Sequence, residues 1–322
     1  MTRTTPIALA AAALLAVGLP APAANAQDLA DYPARTVTLT VGYGPGGPSD
    51  ISARFLQRYF AEVTGQDLVI INKPGGGGAL SWAEMNGQEP DGYELTLVAL
   101  PHIVLQPIVT PGVGYAFEDI NSVILYTSVP QVLAVPADSE IETVDEFIAM
   151  AREKPGQVTI AGTGAGGSNH SAQHLFDEAA GVTTAYIPFR DTASTMAALK
   201  GGQTTAAWTW TTQGVVDGDA IRMLGIAADE RMSIFPDLPT MKEQGVDMID
   251  QAWWSIGVPA STPEDVRRRV AEVLGEVMAH PQMAEDMLEA GYAPFVVGYD
   301  EVADYKQSLY DRYVPVAEAI RN

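Results

Sequence analysis

Val37-Thr38-Leu39-Thr40-Val41-Gly42-Tyr43-Gly44-Pro45-Gly46-Gly47-Pro48-Ser49-Asp50 reads as an apolar strand, a glycine-rich turn and the start of a helix that carries Ile51, Phe55, Tyr59 and Phe60 on one face. The design recurs later in the chain. Val158 to Ala161 is the second strand, Gly162-Thr163-Gly164-Ala165-Gly166-Gly167-Ser168-Asn169-His170 the second turn, and Leu175, Phe176 and Ala179 mark a helix that Gly181 can end. A helix that begins at a glycine turn presents unpaired backbone N–H groups and the positive end of its dipole, which suits an anion. Two such units facing each other form a clamp.

Further runs of Val, Ile, Leu and Thr at Leu68 to Ile71, Glu94 to Ala99, Val132 to Val135, Thr204 to Trp208 and Ile221 to Gly225 alternate with helical patterns. That alternation predicts α/β architecture with mainly parallel sheets. Val144, Phe147, Ile148 and Ala151 have helical spacing, and Thr262-Pro263-Glu264-Asp265-Val266 predicts a helix capped by Thr262. Each glycine turn is expected to belong to its own sheet, with a ligand between the two. Chain crossings near Tyr126 to Gln131 and Ile249 to Trp254 then make the second domain an insertion: 129–251 within a first domain of 27–128 plus 252–322.

Arg3, an apolar run to Leu19 and Ala24-Asn25-Ala26 read as an export signal, residues 1–26, cleaved after Ala26. The periplasm is the expected location. With 18 basic and 40 acidic side chains the net charge is −22, which argues against nucleic acid or an anionic membrane as partner. The chain has no cysteine, so neither disulfides nor thiol chemistry enter.

Several further motifs run in order: Tyr32-Pro33, Gly44 to Asp50 with Arg54, Asn72-Lys73-Pro74-Gly75-Gly76-Gly77-Gly78, Pro90-Asp91-Gly92-Tyr93, Asp119-Ile120, Val132 to Pro136 and the turn ending in His170. Pro188-Phe189-Arg190, Ala198 to Gln203, Phe235 to Thr240, Trp253-Trp254 and Pro259 to Pro263 complete the set. In this order they resemble the periplasmic solute receptors of the tripartite tricarboxylate transporter family, the Bug-type binding proteins. The resemblance implies a two-domain periplasmic-binding-protein-like fold (type II), each domain a mixed, mainly parallel sheet flanked by helices. It also implies a receptor that closes by a hinge on a carboxylate-bearing organic solute and delivers it to large and small membrane permease subunits. A monomer without cofactor is expected. Family members hold the carboxylate through backbone N–H groups, hydroxyls and ordered waters from two loops, which here are Gly42 to Asp50 and Gly162 to His170. Arg190 to Ser194 and Trp208 to Gln213 depart from the family's usual pattern, so they bear on which solute is bound.

In the first loop Tyr43, Gly44, Gly46, Gly47, Pro48 and Ser49 are candidate ligand contacts through close backbone approach and two hydroxyls. Asp50 is also a candidate, although an acid in the first helical turn is expected to brace the loop and not to touch an anion. In the second loop Thr163, Gly164, Ser168, Asn169 and His170 are candidates, with His170 held neutral by the dipole. His102, by family position, is placed at the cleft mouth. Arg190 has two readings, a bidentate grip on a carboxylate or an ion pair with Asp191. Trp210 with Thr209 and Thr211 reads as an aromatic wall of the second domain or as core, and Lys73 as a cleft cation or a solvated one. Trp253 and Trp254 are expected to pack near the crossing.

His170 and His174 have i, i+4 spacing but no evident third ligand, so no metal site is expected. The glycines from 162 to 167 do not keep the spacing of a dinucleotide fingerprint. An exported hydrolase or lyase acting on an organic acid would need a nucleophile with a base, yet Ser168 lacks a G-x-S-x-G setting and the chain has four histidines. The chain is expected not to be an enzyme. A periplasmic ligand sensor for a membrane signalling protein stays open beside transport.

Overall fold

The computed structural model describes residues 29–321; the expected export signal lies outside them. In chain order the elements are β1 (Val37–Val41), α1 (Pro48–Thr64), β2 (Leu68–Asn72), α2 (Ala79–Met85), β3 (Glu94–Leu100), α3 (His102–Val109), β4 (Asn121–Pro136), α4 (Val144–Glu153), β5 (Thr159–Thr163) and α5 (Ser168–Ala180). They continue with β6 (Ala185–Phe189), α6 (Thr192–Lys200), β7 (Ala206–Trp210), α7 (Thr211–Val216), β8 (Ile221–Ile226), β9 (Gln251–Val258), α8 (Glu264–Met278), α9 (Pro281–Glu289), β10 (Ala293–Val297) and α10 (Tyr299–Arg321).

These strands build two mixed sheets that share β4. Parallel pairing joins β1 to β2 and β3 in the first sheet and β5 to β6 and β7 in the second. The pairs β3–β9, β4–β9 and β4–β10 of the first sheet and β4–β7 and β4–β8 of the second are antiparallel, so the parallel share is smaller than expected. The reason is β4, a single strand of 16 residues. Its register with β9 runs to Pro130 opposite Gln251, and at the next residue, Gln131, it pairs with Trp210 of β7. Pro130 has no N–H to give a ladder, which fits the change of partner at this point.

Each sheet closes its own core. In the first lobe α1 buries Leu56, Tyr59 and Phe60 against β1 and its neighbours, each such side chain contributing about 1.5 to 3 kcal/mol. In the second lobe α4 and α5 bring Phe147, Ile148 and Phe176 onto Leu133, Ile160 and Trp208. Trp210 crosses this division, because it sits on β7 yet packs into the first lobe's core. Gly65 and Gly181 end α1 and α5 in the left-handed conformation. The Thr262 cap is not made: α8 begins at Glu264 and the Thr262 hydroxyl has no partner. Among the described residues no helix is long and apolar enough to cross a membrane.

Candidate functional site

The first loop leaves β1 at Gly42, which presses so closely on the glycine run that a Cβ there would lie 2.4 Å from Ser81 Oγ and 2.8 Å from Gly78 Cα. Gly46 has φ +80°, and its N–H donates to Asp50 Oδ2 at 2.8 Å. Asp50 also accepts from Arg54 Nε at 2.9 Å, Arg54 Nη2 at 3.0 Å and Asn72 Nδ2 at 2.9 Å. Burial acts to raise this carboxyl, but the bonds from Arg54, Gly46 and Asn72 outweigh it and hold it below its ordinary value. Asp50 therefore braces the loop as an anion, 1% exposed, with its oxygens directed at protein donors. Ser49 Oγ accepts from Trp254 Nε1 at 2.8 Å, which leaves the hydroxyl proton for another acceptor.

The second loop is braced differently. Asn169 Oδ1 accepts the Thr163 N–H at 3.0 Å, and Asn169 Nδ2 donates to Gln131 Oε1 at 2.7 Å. Tyr186 donates its hydroxyl to the Gly164 carbonyl at 3.0 Å. The His170 ring stacks on Tyr186 with centroids 4.2 Å apart, and its Nδ1 accepts the Gly166 N–H at 3.2 Å. That bond puts the proton of the neutral ring on Nε2, where it is a donor. Burial, assisted by His174, pushes the His170 pKa down to about 4, so the ring is neutral through burial more than through the helix dipole. Ser168 is fully buried, and its carbonyl and hydroxyl both accept from Gln131 Nε2.

Both helices start at glycine caps, Gly47 and Gly167, which offer no side chain to the first-turn donors. By contrast, α4 and α6 are closed by side-chain capping boxes, Thr143 with Glu146 and Asp191 with Ser194. Pro48 has no N–H, so α1 presents those of Ser49 and Asp50. A Cβ built on Gly44, Gly46 or Gly164 would meet no atom within 4 Å, so open space lies beside the backbone of both turns.

The two loops are brought together across α3. A Cβ on Gly166 would lie 2.9 Å from Val109 Cγ1, and one on Gly167 would lie 3.8 Å from His102 Nε2. His102 stands edge-on to Tyr43, with ring centroids 6.2 Å apart. The Tyr43 hydroxyl and His102 Nδ1 are buried with no protein partner. Burial pushes the His102 pKa down to about 4 and the Tyr43 hydroxyl above its usual range, so both groups are neutral donors or acceptors.

The remaining candidates lie outside the two loops. The Arg190 side chain is 88% exposed and pairs with Asp191 at 2.9 Å, and Lys73 pairs with Glu84 at the surface. Trp210 is 6% exposed and, at the lobe junction, meets Trp254, the donor to Ser49, with centroids 6.3 Å apart. The Thr211 hydroxyl donates to the Gly291 carbonyl at 2.6 Å, while that of Thr209 is buried without a partner. Among the described residues no group of three or more His, Asp or Glu side chains is arranged to hold a metal. Two surface hollows of about 260 and 500 Å³ contain no residue of either loop. Gln131 and Tyr186 are supporting residues that the sequence did not mark, while Asn72 entered only as part of a motif and Trp254 only as packing near the crossing. A glutamine inside the apolar run Val129 to Val135 was the available signal, since a buried amide must find partners.

A family described as tripartite tricarboxylate transporter family receptor matches residues 52–321. The UPF0065 protein in the gbd 5′ region of Cupriavidus necator is 31% identical over 316 residues, covering 96% of this chain and 94% of that protein. Protein BugT of Bordetella pertussis is 26% identical, covering 88% and 89%. Among solved structures, an R. palustris protein with adipate superimposes with a TM-score of 0.83 at 23% identity, covering 90% of this chain and 98% of the other. MatC from Rhodopseudomonas palustris with bound malate gives 0.79 at 24% identity, covering 89% and 100%. At that identity the likeness shows a shared two-lobed fold.

Proposed function

Because the chain belongs to the tripartite tricarboxylate transporter receptor family, we propose that it captures a small carboxylate-bearing solute between its two glycine loops, in the periplasm, and delivers it to the family's large and small permease subunits. The observation that carries this reading is the pair of helix N-termini, α1 and α5, that open on glycine caps beside unfilled space and meet across α3. A carboxylate between them accepts N–H groups from Ser49 and Asp50 on one side and from Ser168 and Asn169 on the other. The Ser49 hydroxyl, Tyr43, His102 and the Nε2–H of His170 add uncharged partners.

Binding does no chemistry in this reading. A solute that touches both loops binds the closed arrangement better than the open one, and this difference shifts the protein toward closure. The net charge of −22 means that the attraction is local and comes from oriented dipoles, not from the overall field. The proteins solved with adipate and malate suggest dicarboxylates as the first class to test.

The test is a thermal-shift screen of organic acids followed by titration calorimetry. A solute at 100 times its Kd adds about 2.7 kcal/mol of stability. If no dicarboxylate, tricarboxylate or aromatic acid shifts the transition, the reading fails.

A further inference from the structure

Asp250 is fully buried at the point where the chain leaves the second sheet for β9, and it takes no part in the site described above. Its Oδ1 accepts the hydroxyl of Tyr313 on α10, and its Oδ2 accepts Gln131 Nε2 at 3.1 Å and the Ser171 hydroxyl at 3.1 Å. Its backbone is tied at the same place, with Asp250 N–H to the Ala227 carbonyl and Gln131 N–H to the Asp250 carbonyl. One carboxylate thus holds the last helix of the first lobe, both chain crossings and the helix that opens the second glycine loop.

The link continues toward the ligand. Gln131 Nε2 also donates to the Ser168 carbonyl at 2.6 Å, and its Oε1 accepts Asn169 Nδ2, whose Oδ1 in turn fixes the Thr163 N–H. Every polar atom of the Gln131 amide is therefore engaged, and Asp250 Oδ2 shares with the Ser168 carbonyl and Asn169 Nδ2 the setting of that amide's orientation. We propose that Asp250 is a positioning residue for solute binding: it never touches the solute, but it fixes the second loop relative to the first lobe. This rests on the two-loop reading above. A carboxylate buried so completely has its pKa pushed up to about 6 by burial, against the pull of Tyr313, Arg312, Ser171 and Gln131. A buried charge held against that cost is consistent with a geometric role at the crossing.

The test uses Asp250→Asn and Tyr313→Phe in the full chain. At position 250 the asparagine has a single oxygen: facing Tyr313 it turns a donor toward Gln131 Nε2, and flipped it turns that donor on the Tyr313 hydroxyl, so the anchor to one lobe changes in either orientation. Hydrogen exchange by mass spectrometry, without solute, is expected to show faster exchange of 162–171 in Asp250→Asn and unchanged exchange of 42–50. Calorimetry with malate, adipate or whichever acid the screen selects is expected to show roughly tenfold weaker binding, the equivalent of about 1.4 kcal/mol. Tyr313→Phe cuts the tie to α10 but keeps the Gln131 and Ser171 bonds, so it is expected to weaken binding while leaving 162–171 protected. In Asp250→Asn, exchange that rises equally in both loops, or that does not rise, would mean that Asp250 is only a structural residue, and so would solute affinity within twofold of the unsubstituted protein. If no acid binds the unsubstituted protein, the two-loop reading fails, while the exchange result still decides whether Asp250 sets the second loop.

Discussion

Replacing Asp50 by asparagine keeps the shape of the brace and removes its charge. Four donors converge on the carboxylate, and an asparagine oxygen can serve those on only one side. The amide then faces either Asn72 Nδ2 and Arg54 Nη2 or Gly46 N–H and Arg54 Nε. Hydrogen bonds to a charged group are each worth about 1.5 to 3 kcal/mol. Arg54 is 49% exposed and can turn to water, so its share is discounted. The expected loss is about 2 to 3 kcal/mol at pH 7. For a chain of this size, with about 2.1 cal/mol/K of unfolding entropy per residue, that lowers Tm by about 3 to 5 °C. The sign of the pH dependence follows from a carboxyl held low in the fold. Its contribution is complete above the unfolded pKa of about 3.9 and is lost as pH falls through the folded value. Urea titrations of both proteins from pH 7 to pH 3 should therefore show a gap that narrows in acid. Equal midpoints at pH 7, or a gap constant across the range, would refute the brace.

Gly46→Ala places a Cβ in open space but at φ +80°, so it should cost about 1 kcal/mol in strain and obstruct the backbone's approach to solute. Calorimetry should then show an affinity loss larger than the stability loss read by urea. His102 and His170 have folded pKa values of about 4 against about 6.5 unfolded, so the unfolded chain takes up protons first on acidification. Stability should fall between pH 6.5 and 4, by on the order of 3 kcal/mol for each histidine, and Asp250, raised to about 6, partly offsets this because the fold holds its proton longer. His102→Gln should flatten that slope in pH-dependent melts. Arg190→Ala removes an exposed pair and should change stability by less than about 0.5 kcal/mol; a large loss of solute affinity by calorimetry would bring Arg190 back into the site.

Both strand-turn-helix units were legible in the sequence because everything that defines them is local. Apolar alternation marks the strand, consecutive glycines mark the turn, and Pro48 or Ser168 begins the helix. The bracing role of Asp50 was legible for the same reason, since its main partners, Gly46 and Arg54, are four residues away on either side. What stayed hidden depends on distant chain. Only Val132 to Val135 reads as a strand and Tyr126 to Gln131 as a crossing, so the run from Asn121 to Pro136 did not read as one strand, and with it went the antiparallel role of β9. Trp210 reads as cleft wall or core, and its contact with Trp254 is set by chain far away in sequence. Asp250 is an isolated acid in sequence, and its three partners, 63 to 119 positions away, meet only in the fold.

The continuity of β4 bears on how the molecule melts. Its first ten residues are a rung of one sheet and its last six a rung of the other, with no linker between them. Loss of either half frays an interior strand of both lobes, so heat should take the protein apart in one cooperative step, with calorimetric and van't Hoff enthalpies in agreement. Bending between the lobes must then be absorbed as twist along an intact ribbon, which resists large excursions and returns the empty protein to a narrow range of apertures.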